Sequence, residues 1–222
     1  MVAGALLSLN WVMFLWAVTH GHIVEVSLGY YINPLMSVAL GVVVMGERLS
    51  PRVQIAIAIA AIGVVVMTFA AGQPPWISLW LAVTFALYGL LKKQADAAEP
   101  LEGLVIETGT AAIPLALWLA ILIADGQSQV VAGSVNWAWL PFTGVITVVP
   151  LLLFGISTQL IPLSMVGMLQ YLAPSIQLAL GLMLYGEAVT PAQIFGFIAI
   201  WLALGIYVFD NLRAVRTTET AA

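Results

Sequence analysis

The 222-residue chain has no cysteine, six Lys and Arg, ten Asp and Glu, and two His. Without cysteine there is no disulfide scaffold, thiol redox chemistry or thiolate metal site. So few basic residues, at a net charge of −4, exclude a nucleic-acid binder, which must meet the phosphate backbone with clustered Lys and Arg. Charged residues are 7% of the chain, against about a quarter in a soluble domain, so there is too little polar surface to face water. Enzyme signatures are also missing. There is no HExxH, no GxSxG elbow and no phosphate loop with its lysine. The only aspartates, Asp96, Asp125 and Asp210, lie in or beside loops, which excludes a facing intramembrane pair. What is abundant is apolar: 63% of the residues are hydrophobic. The remaining class is an all-α, polytopic transmembrane helix bundle that is not an enzyme.

A crossing of a bilayer core about 30 Å thick takes roughly 20 mostly apolar residues. Eight such runs are predicted: Val2 to Thr19, Ile23 to Met45, Val53 to Ala71, Trp76 to Leu91, Leu101 to Ala124, Trp137 to Leu160, Leu163 to Tyr185 and Ala192 to Phe209. Pro51, Pro162 and Pro191 suit first helical positions, where a missing N–H costs nothing. Ser50 and Thr190 precede two of them as N-caps. Trp76, Trp80, Trp137 and Trp139 suit an interfacial belt. With eight crossings Arg48, Arg52, Lys92, Lys93, Arg213 and Arg216 all fall on the face of the N-terminus, so both termini are expected in the cytoplasm. The first run has no basic segment ahead of it and reads as a membrane helix rather than a signal peptide.

Shifting the sequence by 140 residues lays Tyr31 to Pro51 over Tyr171 to Pro191, with 8 of 21 pairs identical and no gap. Tyr31, Pro34, Ala39-Leu40-Gly41, Gly46-Glu47 and Pro51 all find their like. The shift spans an odd number of crossings, so the two copies are expected in opposite orientations. Arg48 and Arg52 give way to Ala188 and Ala192, as the positive-inside rule requires. Inverted repeats of this kind mark secondary transporters. The expected units are residues 1–72, the last three helices of a first repeat, and 73–210, a complete five-helix second repeat, followed by a tail at 211–222. On this register the first unit starts about 65 residues upstream of Met1, so two further helices are expected ahead of the sequence.

Asn10-Trp11, Glu25, Leu28-Gly29-Tyr30, Ile32-Asn33-Pro34-Leu35 and Gly46-Glu47-Arg48-Leu49 resemble the RarD permeases, the chloramphenicol-sensitive group of the EamA drug/metabolite transporters. Glu107-Thr108, Pro150 to Phe154, Leu169-Gln170-Tyr171 and Gly196 to Trp201 do likewise. The resemblance covers nearly the whole chain. It implies a ten-helix bacterial inner-membrane fold of two five-helix units, and it supplies no substrate.

Polar groups at membrane depth are costly unless paired or facing a cavity. Glu107, roughly 10 Å into the fifth run at 1.5 Å per residue, is either a proton-coupling group or a carboxyl bonded to a neighbouring helix. Glu25, near the other face, is a second coupling or substrate candidate. Pro34 and Pro174 interrupt two symmetry-matched helices, the strongest sequence pointer to a transporter's central site. Asn33, Gln170, Tyr30, Tyr31, Tyr171 and Gln177 surround these breaks, and Asn10 and Trp11 are placed to line the same cavity. A packing kink is the competing explanation. Glu47 and Glu187 each precede the proline that opens the next helix, whose N-terminus their charge suits. Ala56, Ala60 and Gly63, with Gly196 and Ala203 matched to the first and third, suit close helix packing. His20 and His22 lack a third metal ligand. No metal or cofactor is expected. The expected function is a permease moving a small molecule by alternating access within the lipid bilayer, alone or as a homodimer. The alternative is a non-transporting subunit completed by a partner that donates the missing helices.

Overall fold

The structure, a computed structural model, describes residues 2–72, 74–95, 100–125, 139–180, 182–183 and 189–219. These residues form helices α1 (Val2–Thr19), α2 (Ile23–Val43), α3 (Pro51–Ala70), α4 (Trp76–Gln94) and α5 (Pro100–Ala124), followed by α6 (Trp139–Leu160), α7 (Leu163–Gln170), α8 (Leu172–Leu180) and α9 (Pro191–Glu219). Trp137, Asp96, Gly186, Glu187 and Ala188 lie outside the described residues, as do the side chains of Trp139, Arg213 and Arg216. Six segments among the described residues are long and apolar enough to cross a membrane: α1, α2, α3, most of α6, α7 with α8, and α9 to Asn211.

Local chemistry sets the boundaries. Ser50 Oγ accepts from Val53 N at 3.2 Å ahead of Pro51, the first residue of α3. Thr190 and Gln193 form a reciprocal capping box before α9: Gln193 N donates to Thr190 Oγ1 at 3.3 Å, and Gln193 Oε1 accepts from Thr190 N at 2.8 Å. Past the ends of α2 and α3 the chain turns through a left-handed conformation at Gly46 and Gly72, both with φ +67°, where a side chain would be strained.

Five expectations change. Pro34 does not interrupt its helix, since α2 runs unbroken from Ile23 to Val43. The last helix continues past Phe209 to Glu219, through most of the expected tail. The single run from Leu163 divides into α7 and α8 at Tyr171, because Pro174 has no N–H to offer the carbonyl four residues back. Pro162 is the N-cap of α7 rather than its first helical residue. The Glu47 carboxylate does not serve α3, the next helix. It accepts from Leu163 N at 2.6 Å and Ser164 N at 2.9 Å, so it caps α7 from the end of α2.

The elements matched by the 140-residue shift lie against one another, α2 on α7 and α3 on α9. Small residues allow the approach. A Cβ on Gly63 would stand 2.9 Å from Ala199 Cβ, and one on Gly167 would stand 2.7 Å from the Pro34 carbonyl oxygen. Around these contacts Leu28, Tyr31, Val38, Ala56, Ala60, Val64, Met168, Tyr171, Phe197 and Ile200 form the main core. Beside it α4 is packed by α1, α2, α6 and α7. As an interior helix, α4 can carry polar groups that lipid would not tolerate: Ser78, Thr84 and Lys92 are all buried.

Candidate functional site

Four helices and the α7–α8 break line a cavity of about 310 Å³, a volume at the small end for ligand pockets. α1 contributes Asn10 and Phe14, α2 Val26, Gly29, Tyr30 and Asn33, and α4 Leu81 and Phe85. α6 supplies Pro150, Leu151 and Phe154; Gln170, Ala173 and Pro174 come from either side of the break. The walls are mostly aromatic and aliphatic, and among the described residues no Asp, Glu, Lys, Arg or His lines them.

Two polar arrangements reach the cavity. Asn33 Nδ2 donates to Gln170 Oε1 at 2.6 Å, bridging α2 and α7. Asn33 Oδ1 and Gln170 Nε2 are buried with no hydrogen-bond partner. Asn10 Nδ2 donates to Leu81 O at 2.9 Å and Thr84 Oγ1 at 2.8 Å, tying α1 to α4. Thr84 in turn donates to Trp80 O, so its oxygen is free to accept from Asn10.

Of the twelve expected site residues, Asn10, Tyr30, Asn33, Gln170 and Pro174 meet at the cavity. The others do not line it. Trp11 packs edge-on against Phe14, with 5.9 Å between ring centroids. Tyr31 packs edge-on against Phe197 of α9 at 5.5 Å. Pro34 is fully buried, with its carbonyl facing Gly167. Tyr171 is buried in the core and its hydroxyl has no partner, while Gln177 is exposed on α8. At the start of α2, Glu25 bonds His22 Nδ1 at 2.9 Å, and its backbone carbonyl accepts from Ser78 Oγ at 2.6 Å.

Glu107 lies behind the cavity wall. Its Oε1 pairs with Lys92 Nζ at 3.0 Å, both side chains being buried, and Oε2 accepts from Tyr88 Oη at 3.3 Å. Tyr88 stacks on Phe154 at 6.0 Å between centroids and packs against Phe85 at 5.9 Å. One tyrosine therefore separates the ion pair from two rings of the cavity wall. α1 closes over this cluster, since a Cβ on Gly4 would lie 3.0 Å from Glu107 Cα. Lys92, expected only as a topology-setting charge, is the member that sequence reasoning missed. Its neighbour Lys93 donates to Thr158 O and Ile161 O at 3.1 and 2.7 Å, closing the C-terminal end of α6. Phe14, Phe85 and Phe154 were also missed as lining residues, although Phe154 ends the Pro150-to-Phe154 motif.

Residues 75–209 match the EamA-like transporter family. The chain is 43% identical over 219 residues to Protein RarD of Streptomyces exfoliatus, covering 98% of this chain and 69% of that protein. It is 36% identical over 221 residues to Protein RarD of Escherichia coli, covering 98% and 74%. Against Chloramphenicol-sensitive protein RarD of Pseudomonas aeruginosa the identity is 31% over 215 residues, covering 97% and 71%. A solved crystal structure superposes with a TM-score of 0.66 at 18% identity, covering 92% of this chain and 75% of that one; this is a likeness of fold.

Proposed function

We propose that this chain, which belongs to the EamA-like transporter family, is a bacterial inner-membrane permease that carries a small molecule through the central cavity by alternating access. The observation that carries this reading is the cavity's position where matched helices meet. Asn33 of α2 and Gln170 of α7, which flank the two matched prolines, are joined across it by one hydrogen bond. Transporters of repeated architecture bind substrate at such an interface, and one half then moves against the other. Both termini face the cytoplasm in this reading, from the distribution of Lys and Arg.

Glu107 is the proton-coupling group of this proposal. Protonating it would release Lys92 from a buried pair, and Tyr88 connects that event to Phe85 and Phe154. Removing one member of such a pair strands the other charge, at a cost of about 3–5 kcal/mol. For that reason Glu107→Gln alone confounds coupling with folding.

Flux into proteoliposomes of the purified chain, with and without an imposed pH gradient, tests both parts. Wild-type protein should give saturable flux that the gradient enhances. Ala173→Trp, which fills the cavity, should abolish it while the protein still unfolds cooperatively. Lys92→Met combined with Glu107→Gln should retain gradient-independent flux and lose the enhancement. Flux through the Ala173→Trp protein at the wild-type rate would remove the cavity from the pathway, and enhancement surviving in the double variant would remove Glu107 from coupling.

A further inference from the structure

We infer that the cavity's ligand is uncharged when bound and presents a hydrogen-bond donor and acceptor side by side, as a carboxamide, lactam or urea edge does, on a small aromatic or aliphatic body. The inference rests on the permease reading only in taking the cavity as the place where a ligand binds.

Three observations converge on it. First, the Asn33–Gln170 pair has spare capacity of a defined kind. Each amide carries a donor group and an acceptor, and the single bond between them leaves Asn33 Oδ1 and Gln170 Nε2 buried without partners. Reversing both amides still leaves one acceptor and one donor. Buried polar groups are nearly always satisfied, so an orphaned donor and acceptor on a cavity wall mark where a ligand's complementary edge completes the set. Second, the amide of Asn10 is fixed in orientation. Leu81 O can only accept, so the nitrogen faces α4 with its hydrogens committed to Leu81 and Thr84, and only the carbonyl oxygen is left for a ligand. Third, the described lining residues offer no counter-charge. A carboxylate or ammonium entering the cavity would lose its hydration with no ion to replace it. The nearest buried ion pair already satisfies itself behind Tyr88. The rest of the wall, Phe14, Tyr30, Phe85 and Phe154 among it, suits the face of a ring, and about 310 Å³ holds a body of one or two rings.

A matched series isolates each element of the inference: benzamide, benzoate, benzylamine and toluene share one ring and differ in charge and hydrogen bonding. Binding of each to the detergent-solubilised full chain is measured by titration calorimetry. Benzamide should bind about tenfold or more tighter than each of the other three, because a site whose buried polar groups expect partners rejects analogues that leave them unpaired. The variant Asn33→Leu with Gln170→Leu removes both amides together and strands neither. It should unfold cooperatively, bind toluene as the wild type does, and lose the preference for benzamide. Benzoate or benzylamine binding as tightly as benzamide would overturn the inference, as would a preference for benzamide that survives in the double variant. Entry of radiolabelled benzamide into proteoliposomes separates this inference from the permease reading. Preferential binding without saturable entry would refute transport and keep the ligand class. Saturable entry of benzoate or benzylamine with no benzamide preference would keep transport and refute the class.

Discussion

Pro34 and Pro174 occupy the same position in the duplicated sequence, yet α2 runs unbroken through Pro34 from Ile23 to Val43, whereas the second copy breaks at Tyr171. Each proline removes one backbone bond, to the carbonyl of Tyr30 and of Gln170 respectively. The difference lies in what surrounds them. α2 is packed by α1, α3, α4 and α7, and Pro34 itself is fully buried. α8 has little comparable support, with Leu172, Ile176 and Leu180 exposed, and the freed turn is secured locally instead: Ser175 Oγ and Ser175 N both donate to Tyr171 O. Proline creates the weakness in both copies, and tertiary packing decides whether the helix parts there.

The largest expected effect comes from attacking the packed copy at its contact. Gly167→Leu places a side chain where even a Cβ meets the Pro34 carbonyl at 2.7 Å. Overpacking against backbone should destabilise the protein by about 3 kcal/mol, read as a fall in denaturation midpoint in detergent, with α2 losing amide protection around Pro34. If α2 stays protected, packing by α7 is not what carries the helix through its proline. Next comes Glu47→Gln, which keeps a hydrogen-bond acceptor but removes the negative charge and one of two charge-assisted bonds to α7. A loss of about 1–2 kcal/mol is expected, with faster amide exchange confined to the first turn of α7. Uniform exchange across the bundle would show that Glu47 acts globally. The smallest effect on stability separates the two prolines directly. Pro174→Ala restores the missing N–H and should make α7 and α8 one helix, changing stability by less than about 1 kcal/mol while slowing flux severalfold, since the cavity is built around the break. Pro34→Ala should leave both flux and helix shape as they are. Equal effects of the two changes would dissolve the contrast.

This contrast also marks how far the sequence could be read. Apolar length between punctuation locates α1 at Val2 to Thr19 and gives α2 to α6 to within a few residues, because a helix in lipid must satisfy its backbone internally; it misses the end of α9 at Glu219, where the helix runs on through polar residues. The break at Tyr171 is not legible in that way, since Pro34 carries the same local signal and produces no break. Asn33 and Gln170 are legible as cavity-lining residues because a costly polar group beside a matched proline stands out from apolar neighbours. Phe14, Phe85 and Phe154 do not stand out, being apolar residues in apolar helices. The pairing of Lys92 is hidden for a different reason. At a helix end this lysine looks like any flanking cation, and its partner Glu107 lies on the next helix, a relation that no periodicity within one helix records.

The carboxylate of Glu47 carries a mechanical consequence. It extends from the chain just past α2 into the first turn of α7, and it lies so close to α2 that a Cβ on Gly41 would stand 2.7 Å from its Oε2. The two helices are thus fastened like the blades of scissors, riveted near one tip by charge and joined elsewhere by the neutral Asn33–Gln170 hydrogen bond and by small and apolar side chains. Splaying the riveted tip strands an anion and two amides from one another; parting the opposite tip breaks only the neutral Asn33–Gln170 bond. The rivet therefore makes the pair's resistance to opening unequal between its two ends, and a charge at position 47 sets which end yields first.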